Sequence, residues 1–203
     1  MFKFFLLFIC FLISTNSYAI SENIELGKIK SGICSTCHGN DGNSVVAMWP
    51  KLAGQFSKYL IAQLEAFKHG EDGSRFDPIM YGIVKDLSFQ DFLDISSYFS
   101  LQKISDNGVN LKEVNKLGKK IYLSGDLQKN IISCSSCHGV LGEGNEFANI
   151  PKLRHQHAYY ISIQLQKYKS GIRKTDAVSV MRDISLKMTD DEILAVSEYI
   201  STL

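Results

Sequence analysis

The sequence predicts an all-α protein made of two tandem domains, and two observations carry this prediction. First, the 203-residue chain repeats itself: the stretch Cys34 to Gly42 returns in closely similar form as Cys134 to Gly142. Second, apolar residues recur at intervals of three and four, as they do on one face of an α-helix, and no alternating pattern indicates a strand. An internal repeat of this length indicates two copies of one structural unit.

The residues before the first copy are predicted to be a signal peptide. Lys3 precedes a continuous apolar run at residues 4–13, and Ser17-Tyr18-Ala19 resembles a small-residue cleavage site. A membrane anchor is the alternative, but about ten apolar residues are half of the roughly 20 that cross a bilayer. We therefore expect a signal peptide at residues 1–19, cleaved after Ala19. Without Lys3 the 22 basic residues become 21 against 21 acidic ones, which argues against a nucleic-acid partner.

The four cysteines of the mature chain form two Cys-x-x-Cys pairs, and a histidine directly follows each pair. The residues concerned are Cys34, Cys37 and His38 in the first copy, and Cys134, Cys137 and His138 in the second. This is the attachment pattern of c-type haem. Two thiols three positions apart lie on one helical turn, where they can form thioethers with one porphyrin, and the imidazole that follows is a good iron ligand.

Other interpretations of these cysteines are weaker. Disulfides are common in exported proteins, a thioredoxin-like pair is expected in a βαβ unit, and a zinc site would gather both pairs around one metal. None of these explains the histidines together with the repetition of everything around them. We therefore predict two covalently bound haem c groups per chain, with His38 and His138 as axial ligands.

The second axial ligand of each iron is predicted to be a methionine. Met80 and Met181 each lie ten residues after a matched glycine, Gly70 and Gly171. A thioether favours ferrous iron and raises the reduction potential. Methionine also fills gaps in cores, but Met48 and Met188 have no methionine counterpart in the other copy. His155 and His157 remain alternative ligands at the second haem, because imidazole binds iron as well.

Matched helices are predicted after each haem motif. Apolar faces predict one helix around residues 56–67 and its counterpart around 160–168. Ser88 and Thr189 are predicted to cap the last helix of each copy, the second with a capping box and the first with a weaker acidic version. The residues expected to be buried on these last helices are Phe89, Phe92, Leu93, Ser96, Phe99, Ile193, Val196 and Ile200.

Two further segments complete the predicted domain organisation. The polar run at residues 103–110 is a predicted linker, which separates domains at 20–102 and 111–203. Residues 123–132 form an insertion before the second haem motif and are predicted to be a loop. Each domain is small, so the covalently held haem is expected to supply core material that the chain lacks.

Together these residues resemble two tandem class I cytochrome c domains, as in the dihaem cytochrome c4 family. The resemblance rests on both haem motifs, on Pro-Lys-Leu at Pro50 and Pro151, and on Asp77-Pro78-Ile79-Met80. It implies that each haem c is held between histidine and methionine, that the carbonyls of Pro50 and Pro151 steady the imidazoles, and that the haems face one another across a domain interface.

The same resemblance implies a function. It predicts a periplasmic electron shuttle rather than an enzyme, meeting a quinol-oxidising cytochrome bc complex and a terminal oxidase through transient contacts, and it leaves a loose membrane association open. The alternatives are a peroxidase-like or thiosulfate-oxidising dihaem enzyme, a gas or redox sensor, or a subunit of a larger complex. One departure from the family pattern is that Met181 lacks the proline that stands two residues before Met80, which predicts a less rigid loop.

Overall fold

The computed structural model of the chain describes residues 21–108 and 114–203, and the regular structure within these ranges is helical apart from isolated β-bridges. The N-terminal half contains α1 (Ile24–Lys30), α2 (Gly32–His38), α3 (Ser57–Lys68), α4 (Pro78–Val84) and α5 (Phe89–Ser100). The C-terminal half contains α6 (Lys116–Ser124), α7 (Ser135–His138), α8 (Ala158–Lys169), α9 (Val180–Lys187) and α10 (Asp190–Ile200). The predicted signal peptide and residues 109–110 of the predicted linker lie outside the described residues. No helix in the described part of the chain is long and apolar enough to cross a membrane.

The first and last helices of each half cross at a glycine. A Cβ atom on Gly27 of α1 would lie 2.0 Å from the carbonyl oxygen of Asp94 in α5. The same atom on Gly118 of α6 would lie 1.9 Å from the carbonyl oxygen of Ala195 in α10. Any side chain would overlap the facing backbone, so each crossing requires glycine.

Both last helices begin with a complete capping box. Asp91 accepts a hydrogen bond of 2.7 Å from the Ser88 backbone N–H, while the Ser88 hydroxyl accepts one of 3.2 Å from the Asp91 N–H. Thr189 and Glu192 repeat the arrangement at 2.8 and 3.2 Å. The first box is therefore as complete as the second, because an aspartate three positions into the helix also reaches the cap N–H.

The predicted stripe on α10 is buried, but that on α5 needs two corrections, at Phe89 and at Leu93. Ile193, Val196 and Ile200 are all buried in the C-terminal core. Phe89 was expected inside and is instead 48% exposed. Phe89 occupies the first position of α5, and helical side chains point towards the N-terminus, so its ring extends past the end of the helix. Leu93 lies one turn further along the same side of α5 and is only half-buried.

The insertion before the second haem motif forms a shorter loop than predicted. Its first two residues complete the last turn of α6, and Gly125, with φ at 68°, caps the helix directly after Ser124. The remaining segment is closed by an antiparallel bridge between Asp126 and Ile131. Ile131 packs into the C-terminal core, and Lys129 lies 2.6 Å from Glu192 on α10. The insertion thus supplies core and cap contacts to its own half.

Candidate functional site

A single cavity of about 460 Å³ extends through both halves and is lined mostly by apolar side chains. Every residue that the sequence analysis assigned to haem lines it, and the structure brings both copies of the motif to this one space. These residues are Cys34, Cys37, His38, Met80, Cys134, Cys137, His138 and Met181.

Each histidine is buried and held by a proline carbonyl. His38 ends α2, and its Nδ1 lies 2.8 Å from the Pro50 oxygen; His138 ends α7, with Nδ1 3.0 Å from the Pro151 oxygen. A carbonyl oxygen only accepts, so Nδ1 carries the proton in both rings and Nε2 keeps its lone pair. The hydrogen bonds that the resemblance implied are therefore present.

Burial keeps both imidazoles neutral. Burial lowers the pKa of His38, the hydrogen bond to Pro50 opposes the effect, and the charge of Arg75 adds to it. Burial also lowers the pKa of His138, again against the opposing effect of Pro151. A metal ligand has to be the neutral imidazole, so this environment suits iron binding through Nε2.

The cysteines lie in surroundings that suit neither zinc nor a thiol–disulfide pair. None of the four forms a disulfide with another described cysteine. Burial raises the pKa of the Cys34 and Cys134 thiols to about 11, whereas zinc takes thiolates. Within residues 21–108 and 114–203, no group of three or more His, Cys, Asp or Glu side chains is placed to hold a metal ion. The same ranges contain no βαβ unit that a thioredoxin-like pair would need.

Met80 is delivered by a well-anchored helix start. It lies in the first turn of α4, which begins at Pro78. The Asp77 carboxylate accepts hydrogen bonds from the backbone N–H groups of Ile79 and Met80, at 3.2 and 3.3 Å. Proline at the first position and aspartate at the cap are both strongly favoured there, so this turn is rigid.

Met181 follows a segment with strained backbone. Val178 and Ser179, directly before α9, both have left-handed backbone conformations, with φ at 44° and 65°. For L-residues this conformation costs roughly 1–2 kcal/mol each. Ser179 makes no side-chain cap, although Asp176 accepts a hydrogen bond of 3.0 Å from the Arg182 N–H. The sequence difference before Met181 therefore has a structural counterpart.

The other methionines and histidines considered as iron ligands differ in whether they line the cavity. Met48 and Met188 also line the cavity, so lining alone does not select the paired methionines. His155 and His157 are not among the cavity-lining residues of the described chain. The Nε2 of His157 instead donates a hydrogen bond of 2.8 Å to the Ser44 carbonyl in the other half.

Two arginines that the sequence analysis missed lie between the halves and bond across to each other's half. Arg75 and Arg173 line the cavity, are 7% and 3% exposed, and form an antiparallel bridge with one another. They follow the matched glycines by five and two residues, so aligning the repeats does not pair them. The residues that they contact do lie at matched positions 101 residues apart, Tyr59 with Tyr160 and Gln63 with Gln164.

The arginines lie among uncharged acceptors. Arg75 donates to Gln63 at 2.6 Å and to Tyr160 at 2.8 Å; Arg173 donates to Gln164 at 2.8 Å and to Gln63 at 2.9 Å. Neither takes part in a salt bridge with a described residue. A buried cation without an anion is costly, so this cavity is suited to a ligand that carries carboxylates.

The residues present fit haem. A largely apolar cavity suits the porphyrin faces, two histidines present Nε2 lone pairs, two thiols per half suit its vinyl groups, and two buried guanidinium groups suit its carboxylates.

Comparison with known proteins gives the same result. The cytochrome c family model matches residues 29–101 and 116–203. Cytochrome c4 of Stutzerimonas stutzeri is 38% identical over 186 residues, covering 88% of each chain. The crystal structure of reduced recombinant cytochrome c4 from Pseudomonas stutzeri superposes with a TM-score of 0.86 at 37% identity, covering 90% of this chain and all of that one.

A relative with a different name is also similar over most of its length. The thiosulfate dehydrogenase electron acceptor of Stutzerimonas stutzeri strain A1501 is 33% identical, covering 84% of this chain and 78% of that protein. With two matched family segments and these relatives, the chain belongs to the cytochrome c family and within it to the cytochrome c4 proteins, which makes it an electron-transfer protein with two haem c groups, not an enzyme.

Proposed function

We propose that the chain is a periplasmic carrier whose two irons are each closed by histidine and methionine. His38 and Met80 are the axial ligands in the N-terminal half, and His138 and Met181 those in the C-terminal half. Cys34 and Cys37 bind one haem covalently, and Cys134 and Cys137 the other. The observation that carries the proposal is the matched pair of buried histidines, each fixed through Nδ1 so that Nε2 is available in the shared cavity.

When bound, haem c supplies a one-electron couple between ferric and ferrous iron. The chain's own residues determine how that couple behaves. The proline carbonyls hold the imidazoles in one orientation, and the apolar lining excludes water, so little has to rearrange when the charge changes. A histidine and a methionine at each iron leave no position where a substrate could bind.

The electron partners belong to the proposal as well. We propose that a quinol-oxidising cytochrome bc complex reduces the carrier and that a terminal oxidase reoxidises it, through transient contacts. A second candidate donor is a thiosulfate-oxidising dehydrogenase, which the similarity to an electron acceptor of thiosulfate dehydrogenase supports. Cleavage after Ala19 would place the mature chain in the periplasm, and residues 103–110 would link its two domains.

Optical spectra of the purified holoprotein test the proposal. Two haems per chain, a red-region sulfur-to-iron band in the oxidised form and no carbon monoxide complex are the expected results. Replacing Met80 or Met181 with alanine should each remove part of that band and allow carbon monoxide to bind at one haem. A carbon monoxide complex in the unmodified protein would contradict the closed coordination.

Reduction kinetics separate the two candidate donors. Stopped-flow mixing with a solubilised cytochrome bc complex plus quinol, and separately with thiosulfate dehydrogenase plus thiosulfate, should show fast reduction by the bc complex. Fast reduction by the dehydrogenase alone would instead favour the sulfur-linked donor.

A further inference from the structure

The peptide group between Pro50 and Lys51 is hydrogen bonded at both ends, and the two partners come from different halves of the molecule. Its carbonyl oxygen accepts from His38 Nδ1 at 2.8 Å. Its N–H donates to Oε1 of Gln156, in the C-terminal half, at 2.9 Å. A single planar amide therefore joins a histidine of one half to a glutamine of the other.

The second haem motif has the same arrangement with the halves exchanged. The carbonyl of Pro151 accepts from His138 Nδ1 at 3.0 Å, and the N–H of the same peptide group, on Lys152, donates to Oε1 of Gln55 at 3.0 Å. Gln55 and Gln156 are matched positions in the repeat. In each half, the peptide group that is hydrogen bonded to the histidine thus also donates to a glutamine of the other half.

The orientation of each glutamine amide is determined by its surroundings. Oε1 of Gln156 also accepts from the His157 N–H at 3.1 Å, and its Nε2 donates to the Lys51 carbonyl at 2.9 Å. Turning the amide over would place its NH₂ group against two N–H donors and its oxygen against a carbonyl. Gln55 has the equivalent contacts with Phe56 and Lys152, at 3.1 and 3.0 Å. Both Oε1 atoms therefore face the peptide N–H.

Hydrogen bonds at the two ends of one amide reinforce each other. When Oε1 accepts from the peptide N–H, electron density moves towards the carbonyl oxygen, which then accepts more strongly from the histidine Nδ1–H. A stronger hydrogen bond at Nδ1 makes Nε2 more basic, and a more basic ligand favours ferric over ferrous iron. Both glutamines are buried, so water does not replace the contact.

We propose that Gln156 sets the reduction potential of the N-terminal haem and Gln55 that of the C-terminal haem, each as a positioning residue that acts through one peptide group of the opposite half. The inference rests on the proposed role of His38 and His138 as axial ligands. It gives the domain interface a role in tuning the irons as well as in holding the halves together.

The test is a crosswise pair of substitutions in the holoprotein. In Gln156→Leu, the potential of the N-terminal haem should rise while that of the C-terminal haem stays unchanged. In Gln55→Leu, the C-terminal haem should respond and the N-terminal one should not. The measurement is a redox titration followed by NMR of the haem methyl resonances, which reports each haem separately.

A second readout and a milder variant keep the test decisive. In the reduced protein, the His38 Nδ1–H proton resonance should move upfield in Gln156→Leu, because its hydrogen bond weakens. Gln156→Asn retracts the amide by one methylene with little loss of volume, and it should produce both effects if the leucine variant does not fold.

Three outcomes would overturn the inference: each variant shifting the haem of its own half, both variants shifting the two haems equally, or neither shifting any potential. Failure of the ligand assignment is recognised separately. Iron-bound histidines show strongly ring-current-shifted ring protons in the reduced wild-type protein, so these signals stay in place if only the coupling through the peptide is absent.

Discussion

The guanidinium of Arg173 donates a hydrogen bond of 2.8 Å to the hydroxyl of Tyr59 in the opposite half, and Arg75 makes the reciprocal bond of 2.8 Å to Tyr160. The two arginines thus join the halves through reciprocal hydrogen bonds, and both guanidinium groups are buried there without a described carboxylate partner. Haem carboxylates would provide the missing negative charge.

Removing one of these cations should lower the sum of the two midpoint potentials. In Arg75→Leu or Arg173→Leu, loss of a positive charge near the haems favours the ferric state, by on the order of 1 kcal/mol for a nearby charge. This corresponds to roughly 40 mV for a one-electron couple. Spectroelectrochemical titration measures it, and Arg75→Lys, which keeps the charge, is the control. Unchanged or raised potentials would show that the cations are not near the haems.

The proposed methionine ligand should be displaced more easily in the C-terminal half. Two left-handed residues precede Met181, whereas Pro78 and the Asp77 cap hold Met80. Imidazole titration of the oxidised protein, followed by NMR, should therefore show binding first at the C-terminal haem. Val178→Asn should raise the free energy of unfolding by about 1 kcal/mol, because asparagine tolerates the left-handed region and Val178 is exposed. The same variant should reduce the difference in imidazole affinity between the two haems. Imidazole binding first at the N-terminal haem would contradict the strain argument.

Glycine at the helix crossings should not be replaceable. Gly27→Ala and Gly118→Ala force a methyl group into the facing backbone and should each lower the free energy of unfolding by about 2–4 kcal/mol. Gly82→Ala is the matched control, since a Cβ on this helical glycine would meet no atom of the described residues within 4 Å. That control should be stabilising by about 0.5–1 kcal/mol. Chemical denaturation of the holoproteins gives all three values, and similar effects at the three sites would refute the close-approach interpretation.

Acid should weaken the contact between α1 and α5. Lys30 lies 2.7 Å from Asp91, and its hydrogen bond, together with those from the Ser88 hydroxyl and backbone N–H, holds the pKa of Asp91 at about 2. Because the folded-state pKa lies below the unfolded one, the stabilisation is complete above about pH 4 and disappears as pH falls through about 2. We expect the free energy of unfolding to fall by on the order of 1–2 kcal/mol over this pH range, after allowing for partial exposure of the pair.

Denaturation at a series of pH values between 5 and 2 measures this effect. Asp91→Asn should flatten that part of the profile, at the cost of some stability at neutral pH from the altered capping box. Asp86→Asn is the control, since the Lys85–Asp86 pair is exposed and 3.5 Å apart. A wild-type profile that matches the Asp91→Asn profile would show that the fold does not stabilise the ionised Asp91 carboxylate.

Much of the architecture could be predicted because its signals are local. Helix periodicity, the caps at Ser88 and Thr189 and the two haem motifs depend on residues within a turn or two of one another, and the structure shows helices at each of these places. Two of the errors arose at element ends. The spacing of Phe89 fits a buried face, but spacing does not show that the helix begins at this residue and leaves its ring exposed. The insertion was predicted as a loop although its first two residues close α6.

The sequence by itself determined that the chain has two copies of one helical unit, each with a haem attachment motif, since covalent attachment needs two thiols and a histidine within five consecutive residues. Only the tertiary structure decided how the copies meet. Arg75 and Arg173 follow their matched glycines by different numbers of residues in the sequence. Gln156 accepts a hydrogen bond from Lys51, which lies 105 residues earlier in the chain. Such contacts depend on the packing of two folded surfaces, which a repeat pattern along one chain does not encode.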